Sequence, residues 1–81
     1  METQFTPNAD GTFTFRGPAD VSYPIDSAEG EAARLRMLAA WVKDNAVCPS
    51  GYNVVKRTPM LRNRGVFADR YDVFYTIACK K

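Results

Sequence analysis

The sequence predicts an α+β domain: an antiparallel sheet of three to four strands with one long helix packed on one face, tied by a single disulfide. Three features carry this prediction, namely a strongly helix-forming segment, a clearly alternating strand near the C-terminus, and two cysteines at the ends of patterned segments. The 81 residues leave room for one core, so residues 1–81 are predicted to form a single domain. A composition of 46% hydrophobic and 25% charged residues is typical of a folded globule and excludes a disordered chain.

The helix is predicted over about residues 27–46, because this segment is rich in Ala, Leu, Arg, Glu and Met. Asp26 and Ser27 are suitable N-cap residues, and Asp26 with Glu29 forms a possible capping box. Spacings of three and four place Arg34 away from the predicted buried stripe. That stripe consists of Ala28, Ala32, Leu35, Leu38, Ala39, Val42 and Ala46.

Strands are predicted at about residues 12–16, 21–25, 52–57 and 71–79. In the last of these, every second residue from Tyr71 to Cys79 is apolar or sulfur-bearing, which indicates a strand with one buried face. Aromatic side chains at such positions are more typical of a sheet core than of a stacking platform for sugars or bases. Residues 58–70 contain Pro59, Asn63 and Gly65, and this interruption predicts a long loop.

Cys48 and Cys79 are predicted to form the disulfide. Antiparallel pairing of the last two strands brings Tyr52 close to Cys79, and therefore brings Cys48 within reach of it. The chain has no histidine, so a Cys–His catalytic pair is excluded, and a zinc site would need carboxylates to complete about four ligands. We therefore expect no metal and no cofactor. The alternative is a pair of buried, reduced thiols, as in a cytosolic protein.

Two segments, Cys48-Pro49-Ser50-Gly51-Tyr52 and Tyr71 to Cys79, resemble small bacterial cell-envelope proteins, periplasmic or lipoprotein-like, whose activities are uncharacterised. The resemblance covers about residues 31–80. It implies an exported location and a cysteine pair, and it implies no reaction. The first four residues have neither the basic stretch nor the apolar core of an export signal, so we expect that such a signal was removed.

The charge is divided unevenly along the chain. Residues 1–46 hold four basic and seven acidic residues, a net charge of −3, whereas residues 47–81 hold seven basic and two acidic residues, a net charge of +5. Arginine is suited to bidentate contact with phosphate or carboxylate, and an adjacent phenylalanine adds apolar contact. The predicted contact residues are Arg57, Arg62, Arg64, Phe67 and Arg70. A solvated connecting loop without a ligand is the simpler interpretation of the same segment.

From these features we expect a non-enzymatic cell-envelope binding or interaction module that contacts an anionic envelope component or another protein. Nucleic acid is not expected, since the pI of 8.7 is only mildly basic and no binding motif is present. No apolar run is long enough for a transmembrane segment, and a sheet edge offers a route to a homodimer. The alternative function is a cytoplasmic adaptor or nucleic-acid-associated domain with reduced thiols. A small hydrolase using Asp69 or Asp72 is the remaining alternative, and it needs a cleft that the sequence does not indicate.

Overall fold

The computed structural model describes residues 3–19, 25, 27–63 and 70–80, and of residues 62 and 63 it describes the backbone alone. The elements in chain order are β1 (Gln4–Pro7), β2 (Phe13–Ala19), α1 (Ala28–Asp44), β3 (Tyr52–Asn63) and β4 (Arg70–Cys79). The four strands form one antiparallel sheet in the order β1-β2-β4-β3. The predicted α+β class, with one long helix and a four-stranded antiparallel sheet, is confirmed within the described residues.

The core lies between α1 and the two central strands of the sheet. Phe15 and Ala19 of β2 and Val73, Tyr75 and Ile77 of β4 are buried, and they alternate with less buried neighbours. This alternation follows from the two-residue period of a strand, which gives the sheet one face toward the helix and one open face.

The first hairpin is short because its turn residues and Pro7 limit it. The turn between β1 and β2 contains Gly11, whose φ of 90° suits glycine, and the backbone N–H of Asn8 donates to the carbonyl of Thr12 (2.8 Å). Pro7 is the last residue of β1, consistent with an edge strand. Phe5 and Phe13 stack with ring centroids 5.2 Å apart, so this hairpin adds its aromatic side chains to the edge of the core.

The prediction of a loop across residues 58–70 is wrong for its first part, because β3 extends to Asn63 and pairs with β4 as far as that residue. Pro59 does not end the strand because β3 is an edge strand, where a missing N–H on the outer side costs no ladder hydrogen bond. Register shifts between Val54 and Lys56 and between Leu61 and Asn63 mark irregularities in the pairing with β4. Of the strand predicted at 21–25, residues 21–24 lie outside the described residues and Ile25 is in a turn.

Helix α1 buries a different face from the one that the sequence pattern predicted. Ser27 caps the helix, and its Oγ accepts a hydrogen bond from the Gly30 N–H (3.1 Å). The buried positions are Gly30, Ala33, Arg34, Leu38 and Val42. Most of the predicted stripe is exposed, namely Ala28, Ala32, Leu35, Ala39 and Ala46, so that prediction is wrong except at Leu38 and Val42. The predicted capping partner Asp26 lies outside the described residues.

The helix ends in a Schellman motif, with alanine at the position that usually holds glycine. Ala46 has a φ of 52°, its N–H donates to the Lys43 carbonyl, and the Val47 N–H donates to the Val42 carbonyl. The left-handed conformation is unfavourable for a residue with a Cβ atom. The termination of α1 therefore includes a local strain that glycine would relieve.

The disulfide between Cys48 and Cys79 is present and joins the segment after α1 to the end of β4. Tyr52 pairs directly with Cys79, as predicted, and the two cysteine Cα atoms lie 4.8 Å apart. Cys48 is buried in the core cluster. A disulfide is compatible with an oxidising compartment such as the periplasm.

We expect the substitution Ala46→Gly to stabilise the protein by roughly 0.5–1 kcal/mol, because glycine adopts the left-handed conformation without strain. The greater backbone entropy of glycine in the unfolded chain offsets only part of this gain. Urea unfolding of both proteins measures the difference. Ala39→Gly is the matched control: Ala39 is exposed inside α1, and glycine there should destabilise by about 1 kcal/mol. Destabilisation by both substitutions would contradict the assignment of strain to Ala46.

We expect the double substitution Cys48→Ser/Cys79→Ser to lower the free energy of unfolding by about 3–4 kcal/mol, since the bond closes a long loop in the unfolded chain. The two cysteines are 31 residues apart in sequence. Urea unfolding with and without reductant measures the effect, and the serine variant, which reductant should leave unchanged, is the control. Equal stability of the oxidised and reduced wild type would contradict this expectation.

Candidate functional site

The predicted contact residues fall into two groups in the structure. Arg57 and Arg70 are exposed, at the middle of β3 and at the start of β4 respectively. The side chain of Arg62, and Arg64 and Phe67 entirely, lie outside the described residues, so their role stays a prediction. Asp69, a candidate of the hydrolase alternative, also lies outside them.

Arg57 belongs to a polar cluster that the sequence did not predict, and the carboxylate of Glu31 is its centre. Glu31 Oε2 accepts hydrogen bonds from Tyr75 Oη (2.9 Å), Arg34 Nη2 (3.2 Å) and Arg57 Nε (3.3 Å). Arg57 also donates to the carbonyl of Ile25 (3.4 Å). The cluster joins the first turns of α1 to β4 and β3.

Arg34 is the most deeply placed member of this cluster, with 0% of its surface exposed. Its Nε donates to Tyr75 Oη (3.1 Å) and its Nη1 donates to the carbonyl of Pro18 (3.3 Å). These bonds and the one to Glu31 compensate for the removal of the guanidinium from water. Gly17 makes this placement possible, because a Cβ atom there would lie 3.3 Å from Arg34 Cγ and 3.0 Å from a ring carbon of Phe15.

The cluster alters the titration of its acidic members. Partial burial alone would raise the pKa of Glu31, but hydrogen bonds from Tyr75 and Arg34 and the charge of Arg57 outweigh it and lower the pKa below the ordinary value of 4.5. Burial raises the pKa of Tyr75 above its ordinary value of 10.0, which keeps the hydroxyl protonated and able to donate. Glu31 is thus held as an anion between two cations.

The arrangement of the polar cluster is better suited to stabilising the fold than to acting on a substrate. Every polar atom named above is already engaged by another protein group, and Arg34 and Tyr75 are buried. Asp72 is half-buried on β4, opposite Pro18 and Met60 in the register of the sheet. Within the described residues, no group of three or more His, Cys, Asp or Glu side chains could hold a metal ion.

The most exposed part of the described protein is strand β3. Every residue from Asn53 to Leu61 is exposed except Thr58, which is half-buried. The exposed fractions of its large apolar side chains are 43% for Val54, 58% for Val55, 53% for Met60 and 46% for Leu61. We call residues 53–61 the basic edge, since this stretch also carries Lys56 and Arg57 and has no acidic residue.

The basic edge is exposed because α1 packs over β2 and β4 and leaves β3 uncovered. Helix α1 lies closest to β2, and Trp41 stacks on Phe5 with ring centroids 6.1 Å apart. Trp41 Nε1 also donates to Thr3 Oγ1 (2.9 Å). A shallow groove of about 260 Å³ lies beside Trp41, and its other lining residues are Thr3, Met37, Ala40 and Asp44. Its walls offer little polar chemistry, so it is a weaker candidate than the basic edge.

Comparison with known proteins gives no relative: no family model, no curated protein sequence and no solved structure matches this chain. The resemblance to cell-envelope proteins therefore rests on the two sequence segments that carry it. Among the helices of the described residues, none is long and apolar enough to cross a membrane.

The substitution Glu31→Gln is expected to destabilise the protein by about 2 kcal/mol at pH 7, because it removes the charge that the buried Arg34 faces. Since the pKa of Glu31 is lower in the folded state, its stabilisation is complete above pH 4.5 and is lost as the pH falls through the folded value. The difference between variant and wild type should therefore narrow on acidification. Urea unfolding between pH 7 and pH 3 measures it.

Glu29→Gln is the matched control, as Glu29 is exposed in the same first turn and loses the same charge. It should cost less than about 1 kcal/mol, which is the usual contribution of an exposed charge near a helix terminus. Equal effects of the two substitutions at pH 7 would show that the cluster contributes nothing beyond the helix dipole.

Proposed function

We propose that this protein is a non-enzymatic binding or interaction module of the bacterial cell envelope, and that it contacts an anionic partner through the basic edge and the basic residues that adjoin it. The exposure of β3 is the observation that supports this proposal best. Between residues 53 and 61 of this strand, side chains are exposed on both faces, and the core of the domain does not explain this.

Composition and charge support the same surface. Strand β3 contains Lys56, Arg57 and Arg62 and no acidic residue, and the exposed Arg70 begins the neighbouring strand. Positive charge beside exposed valine, methionine and leucine is typical of a surface that binds an amphipathic or acidic partner. Arg57 is partly neutralised by Glu31, so Lys56 and Arg70 are the cations of this surface that we expect to contact a partner.

The covalent bond between Cys48 and Cys79 supports the proposed compartment, since disulfides persist in oxidising environments and are rare in the cytosol. The cytoplasmic alternative requires reduced thiols. The polar cluster supports the non-enzymatic part of the proposal, because its groups hydrogen-bond to one another and two of its members, Arg34 and Tyr75, are buried.

We expect the double substitution Lys56→Ala/Arg70→Ala to weaken binding to anionic probes several-fold, because two exposed cations of the proposed surface are lost. The probes are vesicles of phosphatidylcholine with phosphatidylglycerol, and soluble poly-glutamate, each measured by titration at low and physiological salt. The control is Arg36→Ala/Lys43→Ala, which removes two exposed cations from α1. Equal weakening by both pairs, or no binding of either probe to the wild type, would contradict the proposal.

A further inference from the structure

We propose that the basic edge binds an extended, acidic protein segment, which adds to the sheet as a fifth strand beside β3. This inference rests on the proposed function and specifies the class and the conformation of its partner. The inference depends on the backbone of β3 as well as on its charges. It can therefore be tested separately from the proposed function.

Within the described sheet, no strand pairs with the outer side of the β3 backbone. Strand β3 pairs with β4 alone in the described sheet, and in an antiparallel ladder alternate residues direct their N–H and C=O groups away from the neighbouring strand. An added strand satisfies such groups, and this mode of recognition gives affinity through the main chain and selectivity through alternate side chains. The opposite edge, β1, has only four residues and ends in Pro7, so it offers a much shorter template.

The side chains beside this free edge are apolar on both faces of the sheet. Val54 and Leu61 lie on the helix side, as their partners in the register, Ile77 and Tyr71, show. Met60 pairs with Asp72 and therefore lies on the open face. A strand added beside β3 would cover apolar surface on both faces of the sheet. A partner that only formed an ion pair with a basic residue would leave this surface exposed.

Charge selects the composition of the added strand. With three basic and no acidic residues in β3, a second copy of this edge would bring like charges together across the new pair. Directly opposed like charges are destabilising in a sheet, and a lysine on an edge is a common protection against self-pairing. Acidic residues facing Lys56 would instead form opposite-charge pairs, so the edge favours an acidic segment over a second copy.

Irregularities in β3 limit the length of the new ladder. Pairing with β4 is uninterrupted from Lys56 to Leu61, between the two register shifts. Pro59 lies within this stretch and has no N–H to donate. The fifth strand would therefore pair over a short stretch, and we expect a moderate affinity that depends on both main-chain bonds and charge.

The test uses the full oxidised chain labelled with ¹⁵N and a short synthetic peptide that alternates glutamate with valine or threonine. There are two control peptides. In the first, lysine replaces glutamate. The second keeps the sequence but carries methyl groups on alternate backbone nitrogens, so that one of its edges cannot pair. We expect the acidic peptide to shift amide signals mainly within residues 53–61 and to slow hydrogen exchange there. Methylation should weaken binding at least about tenfold, because several main-chain hydrogen bonds are lost together.

Lys56→Glu should reduce the affinity for the acidic peptide, whereas Lys43→Glu, the same charge change on the exposed face of α1, should change it little. Equal binding of the methylated peptide would overturn strand addition while leaving the proposed anionic contact intact. Equal binding of the lysine peptide would overturn the acidic composition, and a dimer through β3 in sedimentation would identify a second copy as the occupant. If the acidic peptide fails to bind while the vesicles bind, this inference alone fails. If the acidic peptide, the vesicles and poly-glutamate all fail to bind, both proposals fail.

Discussion

The buried guanidinium of Arg34 fixes how helix α1 lies on the sheet. Helix α1 buries only three apolar side chains, those of Ala33, Leu38 and Val42, so apolar packing alone specifies its rotation weakly. Arg34 specifies it strongly, because its donors reach Tyr75, Pro18 and Glu31 in three different directions, and a rotated helix would leave a buried charge without them. Gly17 supports the same orientation by leaving room for the side chain on β2.

The disulfide holds the C-terminal end of α1, and Arg34 holds its N-terminal part. Together these two links determine which surface of the sheet stays exposed. Cys48 follows α1 closely and is bonded to Cys79 at the end of β4, while the Arg34 cluster ties the first turns of α1 to β2 and β4. The helix is therefore centred away from β3, which remains exposed on both faces. The candidate contact surface is thus a consequence of how the helix is docked, and Arg57 is the described contact between β3 and the helix side of the cluster.

Much of the fold followed from the sequence, and the parts that did not have identifiable physical causes. The alternation from Tyr71 to Cys79 and the cysteine spacing predicted the central strand and the bond, both confirmed. The buried face of α1 was missed because alanines occur on every side of that helix and the buried group is an arginine. A glycine within the alternating β2 strand was the available signal, since it marks a close approach. The loop prediction was wrong for residues 58–63, because Pro59 does not end a strand that lies at the edge of the sheet.

The features that protect β3 from pairing also bear on what it selects. A lysine, a proline and two irregularities all reduce the tendency of an edge to pair with an identical edge. Yet β3 has kept four exposed apolar side chains, which protection alone would replace by polar ones. Lys56 repels a second basic strand and attracts an acidic one, whereas Pro59 and the register shifts shorten the stretch on which any strand pairs. The positive charge of this edge therefore has two effects: it opposes pairing with a second copy and favours pairing with an acidic segment.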